Sequence, residues 1–177
     1  MSRSRESIHS RSVPVLRWSM LAAMAVGLLG GCAHSYGPGG LPAGASSAQA
    51  VAQLGPPTGR YALPSGGQRL EFARGPYGKH TYMLDFDAGD RLLQVEQVLT
   101  EAKFLQLRIG MTADEVLSTI GHPSETRYLS RQQHRLWSYR YDTPFCIWYQ
   151  VSIDTSGKVA ELGHNSDPMC ENDFFPF

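Results

Sequence analysis

The sequence LQLRIGMTADEVLSTIGHP, residues 105–123, decides how this chain folds. Gly110 ends a first helix, and Thr112 with Glu115 three residues later forms a capping box that begins a second one. Two apolar residues four positions apart give this second helix a buried face. Gly121, followed two residues later by proline, ends it. The stretch therefore predicts two helices, of which the second is short and packs on a sheet.

Alternating aromatic and aliphatic residues follow the second helix. They occupy every second position in two runs, 137–141 and 145–153. Period-two alternation predicts half-buried antiparallel strands joined by a turn. A third strand is predicted at 158–162. Residues 100–164 are therefore expected to form an α+β module of two helices and a three-stranded antiparallel sheet.

The same unit occurs a second time in the N-terminal half of the chain, about 66 residues earlier in the sequence. The aligned segments are Leu54–Pro57 with Ile120–Pro123 and Arg69-Leu70 with Arg135-Leu136 at offset 66, Leu84–Asp87 with Val151–Asp154 at offset 67, and Gly89 with Gly157 at offset 68. A first module is predicted over residues 47–99, with its first helix short or missing. No turn-rich linker separates the two copies, so we expect them to pack closely.

Together these residues resemble the SmpA/OmlA (BamE-like) family of outer-membrane lipoproteins. The matching pieces are Ile109–Thr112, Glu115-Val116, Ile120–Pro123, Trp137–Tyr139 and Val151–Asp154 with Gly157–Val159. The resemblance implies a module that binds other proteins and has no known active site, with the outer-membrane β-barrel assembly machinery as its setting. The tandem layout also resembles β-lactamase inhibitory proteins, which pair two such modules into a concave sheet surface.

The first 31 residues are typical of a signal peptide. Four arginines precede a short apolar core at 20–29, which is too short to span a bilayer comfortably. The sequence Leu-Gly-Gly before Cys32 resembles a bacterial lipoprotein signal, which implies cleavage before Cys32 and its lipidation. Ala33 then favours the outer membrane, with the protein on its periplasmic face. The alternative is an ordinary secretory signal with an incidental cysteine.

Residues 32–46 are rich in glycine and proline and contain few large apolar side chains. This composition predicts a flexible tether with a reach on the order of 20 Å. A folded part on such a tether is expected to stand off the membrane surface.

Charge excludes one class of partner. The chain has 16 cationic and 16 acidic residues, and loss of residues 1–31 removes four Arg and one Glu, which leaves a net charge of −3. A mildly acidic chain without a basic run is a poor nucleic-acid binder.

With Cys32 assigned to lipid, Cys146 and Cys170 remain as a pair in an oxidising compartment. A disulfide between them would pin the C-terminal tail, residues 165–177, across the sheet. Two free thiols, or a metal site with His134 or His164, are the alternatives, although the spacing fits no common ligand pattern.

Three aromatic residues are candidates for partner binding. Trp148 lies on the sheet face opposite the predicted core, and Phe174 and Phe175 belong to the unusually apolar end of the tail. Such side chains are frequent anchors of protein interfaces. The alternative is that the tail covers the second face of the sheet and packs against Trp148.

No combination of residues predicts catalysis. Ser138 and Ser152 lie in strands without a nucleophile elbow, and a disulfide explains Cys146 better than a thiol–imidazole pair does. The acidic residues at 85–90 are better explained by a turn than by a Ca²⁺ site. We therefore expect a protein without enzymatic activity, cofactor or metal, and the family resemblance implies that it scaffolds or modulates an envelope assembly. The alternatives are an inhibitor or sensor that binds a periplasmic enzyme through its sheet, and a purely structural lipoprotein.

Overall fold

The computed structural model describes residues 34–171, which belong to one compact unit beginning at His34. The predicted signal peptide, Cys32, Phe174 and Phe175 lie outside the described residues. The elements are α1 (Ser47–Leu54), β1 (Gly59–Ala62), β2 (Gln68–Ala73), β3 (Thr81–Phe86), β4 (Leu92–Gln97), α2 (Glu101–Phe104), α3 (Ala113–Ile120), β5 (Glu125–Leu129), β6 (His134–Tyr139), β7 (Ile147–Ile153), β8 (Val159–Ser166) and α4 (Pro168–Glu171). The helices found in residues 34–171 lack the length and the apolar content of a membrane span.

The strands form two antiparallel sheets, ordered β1-β2-β3-β4 and β5-β6-β7-β8. The predicted α+β class and the tandem of sheet modules are confirmed. The predicted strand number is wrong, because each sheet has four strands. The strands missing from the prediction are β1 and β5, in which no residue is buried and which therefore lack the apolar alternation of a half-buried strand.

In the first module, α1 packs on the inner face of its sheet. Ser46 and Gln49 form a capping box at the start of this helix. Its residues Ala50 and Leu54 are buried against the sheet. The sheet contributes the buried side chains Leu70, Phe72, Leu84, Phe86 and Leu92. A capped amphipathic helix over an alternating sheet is thus enough to build this core.

The second module repeats this arrangement with larger side chains. The predicted capping box is present, since Thr112 Oγ1 accepts the Glu115 amide and the Glu115 carboxylate accepts the Thr112 amide. Helices α2 and α3 cover the inner face of the sheet. Their buried residues Phe104, Val116 and Ile120 pack with Trp137, Tyr139, Tyr141, Tyr149, Val151, Ile153 and Val159. Phe145 was predicted on this face, but it precedes β7 and is 69% exposed.

The internal repeat is more regular in space than in the sequence alignment. The capping boxes of α1 and α3 correspond at offset 66, but the strand pairings correspond at offset 67, since the pair Leu70–Leu84 is equivalent to Trp137–Val151. The predicted alignment of Leu70 with Leu136 is therefore wrong by one residue, which would exchange the two sheet faces. The predicted match for Gly157 is also wrong. Asp90, with φ of 59°, holds the left-handed position that Gly157 holds with φ of 77°.

The second module covers the outer face of the first sheet. Arg69, ion-paired to Asp85, donates from Nη1 to the carbonyl oxygen of Ser118 in α3 at 2.9 Å. At the end of α3, a Cβ on Gly121 would approach the Glu71 carboxyl carbon to 2.9 Å. The layers are therefore α1, first sheet, α2 with α3, and second sheet. This agrees with the close packing that the absent linker predicts.

Residues 34–46 do not form the predicted tether. Leu41 packs against the first core, Ala45 is buried, and the Leu92 amide donates to the Ala45 carbonyl at 2.8 Å. Gln53 Nε2 also donates to the Gly39 carbonyl at 2.7 Å. The low apolar content of this segment predicted a tether. The segment is held on the first module mainly by hydrogen bonds to backbone groups, which composition does not reveal.

Candidate partner-binding surface

The outer face of the second sheet contains a cleft of about 570 Å³. Strand register places Leu136, Ser152 and Glu161 in one row across this face, and Ser138, Gln150 and Gly163 in the next. Residues from all four strands border the cleft, including Arg127, Leu129, Leu136, Trp148, Gln150, Ser152, Glu161 and Asn165. The outer face of the first sheet holds α3, and the same face of the second sheet holds this cleft.

The cleft combines apolar and hydrogen-bonding side chains. Gln150 Nε2 donates to Ser138 Oγ at 3.0 Å, and His134 Nδ1 lies 2.9 Å from Ser152 Oγ. These bonds connect adjacent strands and fix the side chains in place. At the border, Arg127 and Glu161 add charges of opposite sign. Such a surface suits a peptide segment that offers both backbone hydrogen bonds and small apolar groups.

Trp148 forms part of the cleft wall but is only 1% exposed. The Arg140 guanidinium carbon lies 5.0 Å from the centroid of its ring, a cation–π contact. Within residues 34–171, its indole N–H has no hydrogen-bond partner. The contact of Trp148 with a partner stays a prediction, but its side chain is buried, so the role as an exposed anchor does not follow from this geometry.

A buried ion pair, Arg140–Asp167, lies at one end of the second sheet. Arg140 donates from Nε and Nη2 to the two carboxylate oxygens of Asp167, at 2.6 and 3.1 Å. A third bond, 2.8 Å long, runs from Arg140 Nη1 to the Pro76 carbonyl in the first module. Burial alone would raise the pKa of Asp167, but hydrogen bonds from Arg140 and the Met169 amide hold it below its ordinary value. The pair therefore joins the segment just after β6, the C-terminal segment and the first module.

Cys146 and Cys170 form the predicted disulfide. The Asp167 amide also donates to the Cys146 carbonyl at 3.1 Å, so α4 is fixed beside the start of β7. Closing a loop of 24 residues contributes about 3.5 kcal/mol on a chain-entropy basis. The alternatives of free thiols and of a cysteine metal site are therefore wrong. Among residues 34–171, no cluster of three metal-ligating side chains is present.

A second polar centre lies between the modules, around the fully buried Glu71. Its carboxylate accepts hydrogen bonds from Tyr61 Oη at 2.6 Å, Thr58 Oγ1 at 2.9 Å and the His122 amide at 2.8 Å. His122 Nδ1 lies 2.8 Å from Glu71 Oε2, the oxygen that also accepts from Tyr61. Burial, with the bond to Glu71, raises the pKa of Tyr61 well above its ordinary value. Each oxygen has two partners, which fits a structural junction.

Sequence reasoning missed Glu71, Arg140 and Asp167. Each is a charged residue inside or beside an alternating run, where a polar residue is normally assigned to solvent. Glu71 gave no signal, because it alternates with Leu70 and Phe72 in the way that a solvent-facing residue of a half-buried strand does. Arg140 and Asp167 are 27 residues apart, and only the fold brings them together.

No protein-family model matches this chain, and no curated protein sequence matches it. Among solved structures, it is similar to a cysteine-rich secretory protein from Staphylococcus aureus, with 14% identity over 72% of this chain and 44% of that one, at a TM-score of 0.28. It is also similar to an extracellular protein containing an SCP domain from Bacillus anthracis, with 10% identity, 97% and 52% coverage, and a TM-score of 0.29. The chain spans about half the length of these proteins. Neither TM-score reaches the level of a shared fold.

Proposed function

We propose that this protein is a lipid-anchored lipoprotein of the outer membrane that binds an envelope protein in the cleft on its second sheet. Its role would be to scaffold or modulate outer-membrane protein assembly, with the β-barrel assembly machinery as the proposed partner. Cys32 carries the lipid in this proposal, and the folded unit acts in the periplasm without catalysis. The motif resemblance around Gly110–Thr112 supports this setting.

One observation carries the binding part of the proposal. In the first module, the outer sheet face already binds a protein segment, namely the end of α3 with Gly121 and His122. In the second module, the equivalent face holds an open cleft of about 570 Å³. A repeated unit whose first copy uses this face for protein contact provides a ready surface for a partner in its second copy.

The two faces differ in the residues that they present. At offset 67, Glu71 is replaced by Ser138 and Asp85 by Ser152, so the buried and half-buried carboxylates of the first face become hydroxyl groups. A buried charge requires a partner of opposite charge, whereas a neutral hydroxyl surface does not. The expected partner segment is therefore uncharged where it meets the floor, with charge only near the rim residues Arg127 and Glu161.

The test is in-cell photocrosslinking in the outer membrane with a photoreactive residue at position 127, followed by mass spectrometry of the captured proteins. Position 135 is the matched control. Arg135 is also an exposed arginine, but it lies on the neighbouring strand β6 and on the sheet face opposite the cleft. Capture of barrel-assembly subunits from position 127, with at least a fivefold excess over position 135, is the expected result. Equal capture from both positions would contradict the cleft as the binding surface.

A single soluble enzyme captured from position 127 would instead favour the inhibitor or sensor function, for which the paired sheet layout is the supporting feature. The variant Arg127→Glu should then abolish capture of that protein, and Arg135→Glu should leave it unchanged. Co-purification of the tagged protein with each variant separates these results. Loss of capture with both variants would indicate general charge attraction and would contradict a specific cleft contact.

A further inference from the structure

The first described residues are fixed on the surface of the first module. The Ser35 amide donates to the Gln53 carbonyl at 2.7 Å. Arg74 donates to the carbonyls of Tyr36, Ser35 and Leu54 at 2.6, 3.1 and 3.1 Å. A guanidinium with three carbonyl partners clamps this segment against the end of α1. The position where the chain leaves the folded unit is therefore defined.

Very little chain lies between this clamp and the proposed lipid. Only Ala33 separates Cys32 from His34. Two residues of fully extended chain span about 7 Å. A lipid on Cys32 would thus hold the surface around Ser35 and Tyr36 directly at the bilayer, whereas a free tether of fourteen residues would let the folded unit stand away from it.

The surface beside this exit point has the composition of a membrane interface. We name it the anchor-side patch and define it as Tyr36, Arg74, Tyr77, Lys79 and His80. The Tyr36 hydroxyl is hydrogen bonded to His80 Nδ1 at 2.9 Å, and the Arg74 guanidinium lies 5.9 Å from the Tyr36 ring centroid. Residues 74–80 contain two permanent cations and no carboxylate.

The turn within this patch projects an aromatic side chain. The Gly78 amide donates to the Arg74 carbonyl at 2.9 Å and closes the turn that joins β2 to β3. Tyr77, at its tip, is 75% exposed. Tyrosine is enriched at the headgroup level of membranes, because its ring is apolar and its hydroxyl is polar. Lysine and arginine beside it are attracted to anionic headgroups.

Building on the proposed lipid anchor at Cys32, we propose that the anchor-side patch lies flat on the membrane and contacts phospholipid headgroups. Lys79 faces the lipid phosphates, the clamped Arg74 adds positive charge beside it, and Tyr77 enters the interfacial layer. The short chain brings this face to the bilayer, and its positive charge and exposed tyrosine keep it there. The lipoprotein is thereby held in one orientation.

The experiment uses the mature lipoprotein, purified with its anchor and reconstituted into vesicles of phosphatidylethanolamine and phosphatidylglycerol. Benzoylphenylalanine replaces Tyr77 in one variant and Tyr128 in the control. Tyr128, on β5, is similarly exposed at 61% but belongs to the other module. After illumination, intact mass spectrometry counts phospholipid adducts, and we expect at least five times more at position 77 than at position 128.

A second variant keeps the fold and changes only the distance. Six Gly/Ser residues inserted between Ala33 and His34 add about 20 Å of reach, and we expect adducts at position 77 to fall at least threefold. If the protein is acylated but phospholipid adducts are equally frequent at positions 77 and 128, the membrane contact of the anchor-side patch is overturned and the lipid anchor still stands. Absence of acyl mass on Cys32 would overturn the anchor, and the inference with it, so the two failures are distinguishable in one spectrum.

Discussion

At the scale of single residues, Glu71 is the clearest case of a charge kept inside the fold. Its carboxylate is fully buried and receives four contacts, from Thr58, Tyr61 and the amide and ring of His122. A buried carboxylate is tolerated only when all of its lone pairs are matched by donors. Replacing it with a group that also donates therefore breaks the match.

We expect Glu71→Gln to lower the free energy of unfolding by about 2–3 kcal/mol, because its amide group would face donors instead of accepting from them. Urea unfolding of the purified protein measures the change. Glu161→Gln is the control, since Glu161 is exposed and should change stability by about 0.5 kcal/mol or less. A Glu71→Gln protein as stable as the control would mean that the buried carboxylate is not needed.

The Asp167–Arg140 pair predicts acid sensitivity with a defined sign. The folded pKa of Asp167 is lowered, so its contribution is present above the unfolded value near pH 4 and is lost as pH falls through the folded value. Asp167→Asn should therefore cost about 3 kcal/mol at pH 7. The difference from the natural protein should shrink at pH 3 and below.

Unfolding curves of both proteins across pH 2–8 measure this difference. Acidic residues common to both, such as Asp87 and Glu115 with their lowered pKa values, cancel in the comparison. A difference that stays constant over the whole range would contradict the assignment.

The sequence predicted apolar residues better than charged ones. Trp137 and Tyr139 were placed correctly in the core by their alternation, and Cys146 with Cys170 by the parity of cysteines. Glu71 could not be predicted, because its donors come from residues 10 to 51 positions away. Residue type indicates whether a side chain is usually buried. For a charged residue, burial depends on hydrogen-bond partners that only the folded structure brings close.

At the scale of elements, the two helix ends at Gly55 and Gly121 offer a matched comparison. Both glycines have positive φ, 88° and 81°, and both end their helices in the same backbone conformation. Their surroundings differ. An added Cβ at Gly55 would meet only the flexible His34 ring at 3.4 Å, whereas at Gly121 it would meet Thr81 Cγ2 at 2.7 Å.

We expect Gly55→Ala to cost about 1–3 kcal/mol, because a φ of 88° with a ψ of −173° is a backbone conformation that essentially only glycine adopts. Gly121→Ala should cost about 1–3 kcal/mol more, since overpacking against the first sheet is added to the same strain. Thermal and urea unfolding of the two variants give the difference. Equal losses would show that α3 does not press on the first sheet.

The capped helices were predicted well and the edge strands β1 and β5 were missed, for a physical reason. Capping boxes are local, so Thr112 with Glu115 can be recognised within four residues. Edge strands such as β5 have neither face buried along most of their length, so their residues follow no period. Residues 34–46 failed for a similar reason, because backbone hydrogen bonds leave no mark in composition.

At the scale of the whole molecule, α3 belongs to two structures at once. Val116 and Ile120 fill the core of the second module, while Ser118 and Gly121 contact the first sheet. Separation of the modules would expose Glu71 and remove its two contacts with His122, while Thr58 and Tyr61 would stay with it. The two modules are therefore expected to unfold as one cooperative unit.

Hydrogen exchange with mass spectrometry tests this cooperativity under increasing urea. Amides of β2 and β3 in the first module and of β6 and β7 in the second should converge on one opening free energy. Gly121→Ala should lower that value in both modules together. Opening of one module at a lower urea concentration than the other would contradict the shared unit.

Tandem organisation was within reach of the sequence, but the layer order was not. The repeat near 66 residues and the absent linker predicted two packed modules. Which face of the first sheet receives the second module depends on Arg69, Glu71 and Asp85, which look like ordinary solvent-facing residues of a strand. The same ambiguity concealed the cleft, since its floor is the equivalent face of the second copy.

The buried position of α3 also sets an order of events in time. During synthesis the chain emerges from its N-terminus, so β1–β4 are complete before residue 122 exists. Until then, Glu71 has its partners Thr58 and Tyr61 but lacks His122, and the first sheet has a polar face open to water. The first half of the protein is therefore a temporary product, and it becomes a finished fold only when the beginning of the second half arrives.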